Sequence, residues 1–465
     1  MYSLAQVWAL PAALLVIANL SATWYKLVSE RVPEPYLIRR ALRQPLPPRP
    51  GRKGLSSSPQ VKDEETPTSL LDAHTALNTS LFPPLFFFSG LYYTDVLSTL
   101  VVLAAYYTYL SQRGSTNYLV SGWLTINVGV IALLFRQTNI FWVAVFPAGL
   151  TVVDTLKRYN EILDTSVEDA GPKHYFALLL YLPRNVLLLR PVAVVKAIIP
   201  YVVLLVLFAG FVLWNGGVVL GDKSAHVATI HLPQMLYIWP YLVFFSLPLT
   251  LPSLLQPILA VLPKQFRSLI ETNLTGPFTP TAPSIIAATL FNGFAFVAVH
   301  FNTIVHPYTL ADNRHYVFYV FRILLRYPAV RYIAIPVYYI CALLTIRTLG
   351  ASPPAYVGST KRTPKKQQRV DSVKSDSVQI SFVIVWTAAT TLSVITAPLV
   401  EPRYFIIPWV LWRLHVPASK SKATTSQLAL ETVWLLAVNV GVGYMFLNKG
   451  FEWPNEPGKV QRFLW

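Results

Sequence analysis

Residues 118–153 read YLVSGWLTINVGVIALLFRQTNIFWVAVFPAGLTVV, two apolar runs separated by Arg136-Gln137-Thr138-Asn139. The first run, 118–135, carries no charged residue and is long enough to cross most of a hydrocarbon core as a helix. The second run, 139–153, begins directly after the polar turn. The stretch therefore predicts two consecutive membrane helices, with Arg136 at the point where the chain reverses.

The rest of the chain repeats this pattern. Of 465 residues, 54% are hydrophobic and only 13% are charged, about half the charged fraction of a soluble domain, and the mean hydropathy is +0.47. The other apolar runs lie near 4–25, 85–109, 193–214, 233–258, 284–301, 332–349, 379–397, 403–415 and 428–447. We predict an all-α polytopic membrane protein, a single membrane domain over 1–465 with about eleven transmembrane helices. The run 4–25 is expected to be a retained span and not a cleaved signal peptide.

Charge supports the same class. The formal net charge is +17, but basic loops beside membrane spans follow from the positive-inside rule and from anionic lipid surfaces. We therefore predict membrane lipid as a partner and no nucleic acid. The linker 351–378 contains Lys361-Arg362-Thr363-Pro364-Lys365-Lys366 and is expected to be disordered and cytosolic. The single cysteine, Cys341, excludes a disulfide framework.

Counting runs from this linker assigns every loop to a side of the membrane. The expected cytosolic loops are 111–117, 154–174, 259–283, 350–378 and 413–427. The opposite side is expected to hold 26–84, 136–138, 215–232, 302–331 and 398–402. Loop 26–84 is rich in arginine, contrary to the positive-inside rule, although that rule weakens for loops near 60 residues.

Polar residues collect in the loops of this second side. Each has a simple explanation alone: Asp222 and Lys223 could form an exposed ion pair, and Glu401 and Arg403 could pair at a helix end. Together they indicate a polar cavity, because ionisable groups near membrane depth are costly and tend to line cavities. The candidate site residues are Arg136, Asp222, Lys223, His226, His306, Asp312, Asn313, Arg314, His315, Glu401 and Arg403. A further acid, Asp95, follows Tyr92-Tyr93-Thr94 near the start of a span.

The residue types in these loops restrict the chemistry. Guanidinium and ammonium groups can bind a phosphate, arginine through two parallel hydrogen bonds; the candidates are Arg136, Lys223, Arg314 and Arg403. Carboxylates can act as bases or accept hydrogen bonds from hydroxyl groups; the candidates are Asp222, Asp312 and Glu401. The histidine spacings match no metal motif, and no phosphate-binding or dinucleotide loop is visible, so we expect no metal and no cofactor.

Several of these segments resemble one enzyme family. The stretches Gly221–Thr229, His306–Tyr316 and Glu401–Tyr404, together with Leu81–Asp95 and Phe135–Ile140, are similar to the endoplasmic-reticulum dolichyl-phosphoglucose-dependent alpha-1,2-glucosyltransferases. These are the tenth enzymes of the asparagine-linked glycosylation series. The resemblance covers roughly 1–36 and 75–465.

The resemblance implies a fold and a reaction. The fold would be the type C glycosyltransferase fold, in the endoplasmic-reticulum membrane, with the active face lumenal. Dolichyl phosphate glucose would donate the terminal glucose to the dolichyl-pyrophosphate-linked oligosaccharide in alpha-1,2 linkage, by inverting single displacement. Asp222, Asp312 and His315 would bind sugar hydroxyls or transfer a proton. The substrate-binding residues would be Arg136, Lys223, His226, His306, Asn313, Arg314, Glu401 and Arg403.

One loop departs from the family pattern. Val32-Pro33-Glu34-Pro35-Tyr36 is present, but Leu37-Ile38-Arg39-Arg40 stands where the family has an acidic pair. That first-loop acid is the usual candidate base in this fold. Residues 37–70 have an atypical low-complexity composition and are interpreted as a lumenal insert of foreign sequence, such as intron or frame-shifted reading in a gene model. Two alternatives stay open: a catalytically defective homologue acting as a membrane interaction protein, and a transporter, although no symmetry between two halves is visible.

Overall fold

The computed structural model describes residues 34–42, 68–91, 93–113, 117–159, 161–162, 164–218, 229–275, 284–305, 307–350, 378–397, 399–418 and 421–465. The predicted span 4–25 lies outside these ranges, as do residues 43–67 and 351–377. Four predicted site residues are also outside them: Asp222, Lys223, His226 and His306.

The described chain is almost entirely helical. The helices are α1 Glu34–Leu42, α2 Thr68–Ser80, α3 Pro83–Ser89, α4 Asp95–Gln112, α5 Tyr118–Phe135, α6 Phe146–Arg158, α7 Pro172–Leu188, α8 Pro191–Asn215, α9 Gln234–Phe245, α10 Leu247–Val261, α11 Lys264–Ile270, α12 Ile285–Asn302, α13 Pro307–Ala311, α14 Tyr316–Arg326, α15 Val330–Leu349, α16 Ile380–Val394, α17 Ile406–His415 and α18 Lys422–Asn448. Short 3-10 turns cover Gln137–Asn139 and Pro402–Phe405, and π-helical turns cover Phe141–Val145 and Glu271–Thr275. Strands β1 Phe451–Glu452 and β2 Val460–Gln461 pair antiparallel.

Six of the described helical segments are long and apolar enough to cross a membrane. They are Tyr118–Phe135, Gln137–Arg158, Pro191–Asn215, Ile285–Asn302, Val330–Leu349 and Lys422–Asn448. The pair α9 and α10, bent by 94°, could be a seventh. The all-α polytopic class is therefore confirmed. The count of about eleven stays a prediction, because the remaining helices are shorter or more polar.

Aromatic packing fixes the centre of the bundle. The side chains of Trp386, Trp409 and Trp412 are fully buried. The Trp409 ring stacks on Phe82 at 3.8 Å between centroids, and its indole N–H donates to Ser246 Oγ at 2.9 Å. Burying a tryptophan without a partner for its N–H is costly, so this bond allows α17 to lie in the interior although it is only ten residues long.

The bundle has two polar ends. At one, which we call the site end, lie Asp95, Arg136, Asp312 and Glu401. At the other, the far end, Arg113 Nε donates to Asp154 Oδ2 at 2.8 Å. Helix α4 joins the two ends, because it begins at Asp95 and its last turn leads directly into Arg113.

Helices α1 and α2 differ from the sequence expectation, which treated 26–84 as one loop on the side of the polar clusters. Arg39 of α1 donates to Leu414 O at 2.8 Å and Val416 O at 2.9 Å, at the far end. A nine-residue helix is about 13 Å long, so all of α1 stays there.

Helices α2 and α3 connect the two ends of the bundle, although residues 68–80 have no apolar run. Asn78 of α2 donates to Leu428 O at 3.0 Å, whereas Phe87 of α3 packs against Phe446 at 5.4 Å between centroids. Residues 68–89 thus run alongside α18 from the far end to the site end. Their buried polar side chains face α18 instead of lipid, so the hydropathy signal is weak.

Candidate functional site

At the site end, an ion pair joins the start of α4 to the end of α5. Arg136 follows the last residue of α5, and its Nη2 lies 2.9 Å from Asp95 Oδ1 and 3.0 Å from Oδ2. The Asp95 side chain is only 2% exposed. The Arg136 guanidinium compensates for the cost of burying the Asp95 carboxylate. The carboxylate in turn holds the guanidinium in one orientation.

The turn after Arg136 is held by its own side chains. Asn139 Nδ2 donates to Ala132 O and to Ser98 Oγ, both at 2.8 Å. The first bond gives a carbonyl of the last turn of α5 a second donor, because the backbone N–H of Arg136 also donates to Ala132 O, at 3.3 Å. The polar break between the two apolar runs therefore serves to fix the position of Arg136.

A second ion pair lies where α16 leads into α17. Glu401 accepts a hydrogen bond from Arg403 Nε. The Arg403 guanidinium also lies over the rings of Tyr93 and Tyr404, 5.9 Å and 5.8 Å from the centroids. Within the part of the chain that the structure describes, the two Nη groups of Arg403 make no hydrogen bond, which leaves them for a ligand.

The third pair lies between α13 and α14. Arg314 Nε donates to Asp312 Oδ1 at 2.9 Å and Nη2 to Oδ2 at 2.7 Å, a two-bond contact. The backbone N–H of Arg314 donates to Oδ1 as well, at 3.0 Å. Partial burial raises the pKa of the Asp312 carboxyl, but the hydrogen bonds from Arg314 outweigh it, so the pKa lies below its ordinary value. Asp312 is therefore ionised at neutral pH.

A cavity joins the second and third pairs. It has a volume of about 70 Å³ and is lined by Asp312, His315, Leu399, Glu401 and Pro402, among others. His315 Nε2 lies 3.5 Å from Asp312 Oδ2. Residues nearly ninety positions apart in sequence thus face one space, large enough for a few water molecules or a hydroxyl group.

The segment before α9 is tied to the same end. The backbone N–H of His231 donates to Ile395 O at 2.7 Å, and Gln234 Nε2 donates to Leu399 O at 3.1 Å. Residues 229–234 therefore start from the site end, directly after the stretch that contains Asp222, Lys223 and His226. Whether those three residues join the site stays a prediction, because they lie outside the described ranges.

The structure brings together every predicted site residue that it describes. These are Arg136, Asp312, Asn313, Arg314, His315, Glu401 and Arg403. The candidate set omitted Asp95, although an acid after Tyr92-Tyr93-Thr94 at a span end was the available signal. It also omitted three tail residues, Trp453, Gln461 and Trp465, which contact Asn313, Arg314 and His315. No periodic pattern or motif marked them.

Two further observations concern the rest of the chain. In the described ranges, no three His, Cys, Asp or Glu side chains are grouped so as to hold a metal ion. A larger cavity of about 190 Å³ opens at the far end, lined by Arg39, Tyr106, Asp154 and His415 among others. It contains none of the predicted site residues.

Comparison with known proteins identifies the family. The model of the DIE2/ALG10 family matches residues 53–414. A protein of Emericella nidulans named Dol-P-Glc:Glc(2)Man(9)GlcNAc(2)-PP-Dol alpha-1,2-glucosyltransferase is 42% identical, with 84% of this chain and 78% of the relative covered. Proteins of the same name from Aspergillus fumigatus and Homo sapiens are 39% and 33% identical over 84% of this chain, covering 78% and 72% of their own lengths. No solved structure matches. The chain belongs to the DIE2/ALG10 family.

Proposed function

We propose that this protein transfers glucose from dolichyl phosphate glucose to a dolichyl-pyrophosphate-linked oligosaccharide, in alpha-1,2 linkage. The observation that carries the proposal is the group of three carboxylate–arginine pairs at the site end, Asp95–Arg136, Asp312–Arg314 and Glu401–Arg403. All six residues fall within the family match. The relatives named for this reaction favour the transferase over a non-catalytic interaction protein.

The arginines suit the leaving group. When the glycosidic bond to the donor breaks, negative charge develops on the dolichyl phosphate, and guanidinium groups stabilise a phosphate by paired hydrogen bonds. Arg403 uses Nε for Glu401 and presents its Nη edge, and Arg136 uses only Nη2 for Asp95. Both can therefore bind a phosphate without giving up the carboxylate that orients them.

The acceptor side needs a base. In an inverting displacement the acceptor hydroxyl attacks while a side chain takes its proton. Helix α1, which contains the residues that stand where the family has its first-loop acids, lies at the far end. We assign the proton transfer to Asp312 and His315, because they line the cavity between the arginine pairs. Asn313 and Glu401 are assigned to sugar hydroxyls.

We place the protein in the endoplasmic-reticulum membrane with the site end in the lumen. The argument is charge. The far end carries Lys157, Arg158 and Lys422, and the linker 351–378 leaves and re-enters the bundle there, because Gly350 lies against Glu168 and Gln379 pairs with Ser166. Basic segments next to spans favour the cytosolic side.

Complementation tests the function. The chain is expressed in a eukaryotic cell that lacks its terminal glucosyltransferase, and the lipid-linked glycan is released and sized. We expect one added hexose, removable by an alpha-1,2-specific digestion. Arg403→Ala should abolish the addition. Arg267→Ala is the matched control, because it breaks a more exposed arginine–glutamate pair at 2.8 Å, 37% and 24% exposed, away from the site.

The result also separates two explanations of failure. A well-expressed chain that adds no hexose would contradict the proposal for the sequence as printed. If a variant with an acidic first loop in place of 37–70 then added the hexose, the defect would lie in that stretch and not in the site described above. Sequencing of the spliced transcript over 37–70 would test the same point independently.

A further inference from the structure

We propose that the tail, residues 451–465, is a positioning element of the transferase site, acting through His315. The proposal rests on the proposed function and extends it to a segment beyond the family match, which ends at residue 414. The tail leaves the end of α18, forms the β1–β2 hairpin and returns to the loop between α13 and α14.

The tail has a defined structure of its own. Strand β1 pairs with β2 through Phe451 opposite Gln461. Gly458 allows the turn at a φ of 79°, a left-handed conformation that favours glycine. Arg462 Nη1 then donates to Phe446 O at 2.6 Å and Leu447 O at 2.9 Å. These carbonyls belong to the last turn of α18 and have no intrahelical partner, so the tail is fixed to the helix that carries it.

Backbone bonds join the end of the tail to the site loop. Leu464 N–H donates to Arg314 O at 2.8 Å, and Tyr316 N–H donates to Leu464 O at 3.2 Å. His315 and Leu464 thereby form a parallel bridge, as in a sheet. The backbone on both sides of His315 is held by one residue of the tail.

Side chains of the tail hold the neighbours of His315. Trp453 Nε1 donates to Asn313 Oδ1 at 2.8 Å, and the guanidinium of Arg314 lies 4.7 Å from the centre of the Trp453 ring. Arg314 Nη1 also donates to Gln461 Oε1 at 3.2 Å. Since Arg314 binds Asp312 through Nε and Nη2, the tail fixes the edge of the guanidinium that Asp312 does not use.

The most direct contact concerns the imidazole. His315 Nδ1 lies 3.1 Å from the backbone oxygen of Trp465. The backbone oxygen accepts, so Nδ1 carries the proton of this hydrogen bond. Nε2 is then the nitrogen that faces Asp312 and the cavity. A partner on one ring nitrogen sets the tautomer and the ring orientation, and therefore what the other nitrogen can do.

The Trp465 ring anchors the backbone oxygen that His315 contacts. It packs against Tyr316 at 5.1 Å and against Phe245 of α9 at 5.5 Å between centroids. The indole N–H is buried and has no partner among the described residues. Apolar ring contact is therefore what the Trp465 side chain adds to the backbone bonds of Leu464, and phenylalanine can supply it.

The test uses the purified full-length protein in lipid nanodiscs with labelled dolichyl phosphate glucose and lipid-linked acceptor. Trp465→Ala should lower kcat about tenfold while KM for the donor changes by less than about twofold, since the ring contacts no phosphate-binding arginine. Trp465→Phe should retain at least half of wild-type kcat. Lys459→Ala is the matched control: Lys459 is exposed on the same hairpin, and no described contact joins its side chain to residues 312–316.

A double-mutant cycle separates positioning from general stability. In a His315→Gln background, measured with excess enzyme in single turnovers, Trp465→Ala should cost less than about twofold, because the group it positions is already absent. An equal loss in both backgrounds would overturn the proposal, as would wild-type kcat in Trp465→Ala. So would a loss that Trp465→Phe does not restore, or one that follows a fall in thermal stability. Absence of transfer by the wild-type chain would instead count against the proposed function.

Discussion

The buried pair Arg413–Glu431 allows a quantitative prediction about what holds the bundle together. Arg413 Nε donates to Glu431 Oε1 at 2.6 Å and Nη2 donates to Oε2 at 2.7 Å. The side chains are 1% and 0% exposed. The pair joins α17 to α18, and Asn78 of α2 donates to Glu431 Oε2 at 2.7 Å, so three helices meet at one carboxylate.

Removing one charge of the Arg413–Glu431 pair should lower the free energy of unfolding strongly. Removing both charges should lower it much less. Arg413→Met leaves the buried Glu431 without its cation, and two unit charges about 4 Å apart interact by about 4 kcal/mol at an effective dielectric of 20. This agrees with the roughly 3–5 kcal/mol that removing one partner of a buried ion pair typically costs. Glu431→Gln should cost a similar amount. Arg413→Met with Glu431→Met should cost less than about 2 kcal/mol, since Asn78 keeps its bond to Leu428 O.

The assay is the midpoint of thermal unfolding in detergent, followed by fluorescence-detected size exclusion. We expect each single variant to lower the midpoint by about 3–5 °C and the double variant to recover most of that loss. Arg267→Met, in a more exposed pair at 2.8 Å, should shift it by about 1 °C or less. A double variant as unstable as the two singles combined would refute the reasoning.

Three further outcomes can be checked. Gly129→Leu should destabilise the fold by more than about 2 kcal/mol, seen in the same thermal assay, because a Cβ at Gly129 would lie 2.5 Å from Leu204 Cδ1 of α8. Arg403→Lys should lower transfer at least about tenfold in the nanodisc assay, because an ammonium cannot hold Glu401 and a phosphate with two separate edges. The Asp312–Arg314 pair should persist from pH 7 to about pH 5 and weaken as the pH falls through the lowered pKa of Asp312; a difference in thermal midpoint between wild type and Asp312→Asn that disappears between pH 7 and pH 5 would contradict this.

The sequence predicted the helices whose apolar composition is required by contact with lipid. Runs such as 118–135 and 193–214 are predominantly apolar, and both lie in helices that are long and apolar enough to cross a membrane. It failed for residues 68–89, because Asp72, Asn78 and Thr79 are buried against other helices and contribute no hydropathy. A segment that connects the two ends of the bundle without a hydropathy signal is not counted. Placing α1 on the side of the polar clusters follows from that omission, because Arg39 lies at the far end.

The candidate site was predictable for a related reason. An arginine such as Arg136, at the end of a charge-free run, has a high desolvation cost, so its presence indicates a partner even when the partner is distant in sequence. The sequence cannot say which carboxylate that partner is, because Asp95 and Arg136 meet only through the packing of α4 on α5. The tail gave no such signal: Trp465 and Gln461 act through ring packing and backbone bonds, which have no characteristic composition.

The three carboxylate–arginine pairs also explain how one site can bind an anion and still provide a base. Arg314 occupies both oxygens of Asp312 and holds its pKa down, so the carboxylate is a weak proton acceptor. In the proposed reaction, a donor phosphate would compete for the same guanidinium. Any hydrogen bond that Arg314 makes to the phosphate is lost to Asp312. The pKa of the Asp312 carboxyl then rises toward its ordinary value. Binding of the donor would thus strengthen the base when the acceptor hydroxyl must be deprotonated, and the tail contact through Gln461 limits how far Arg314 can move.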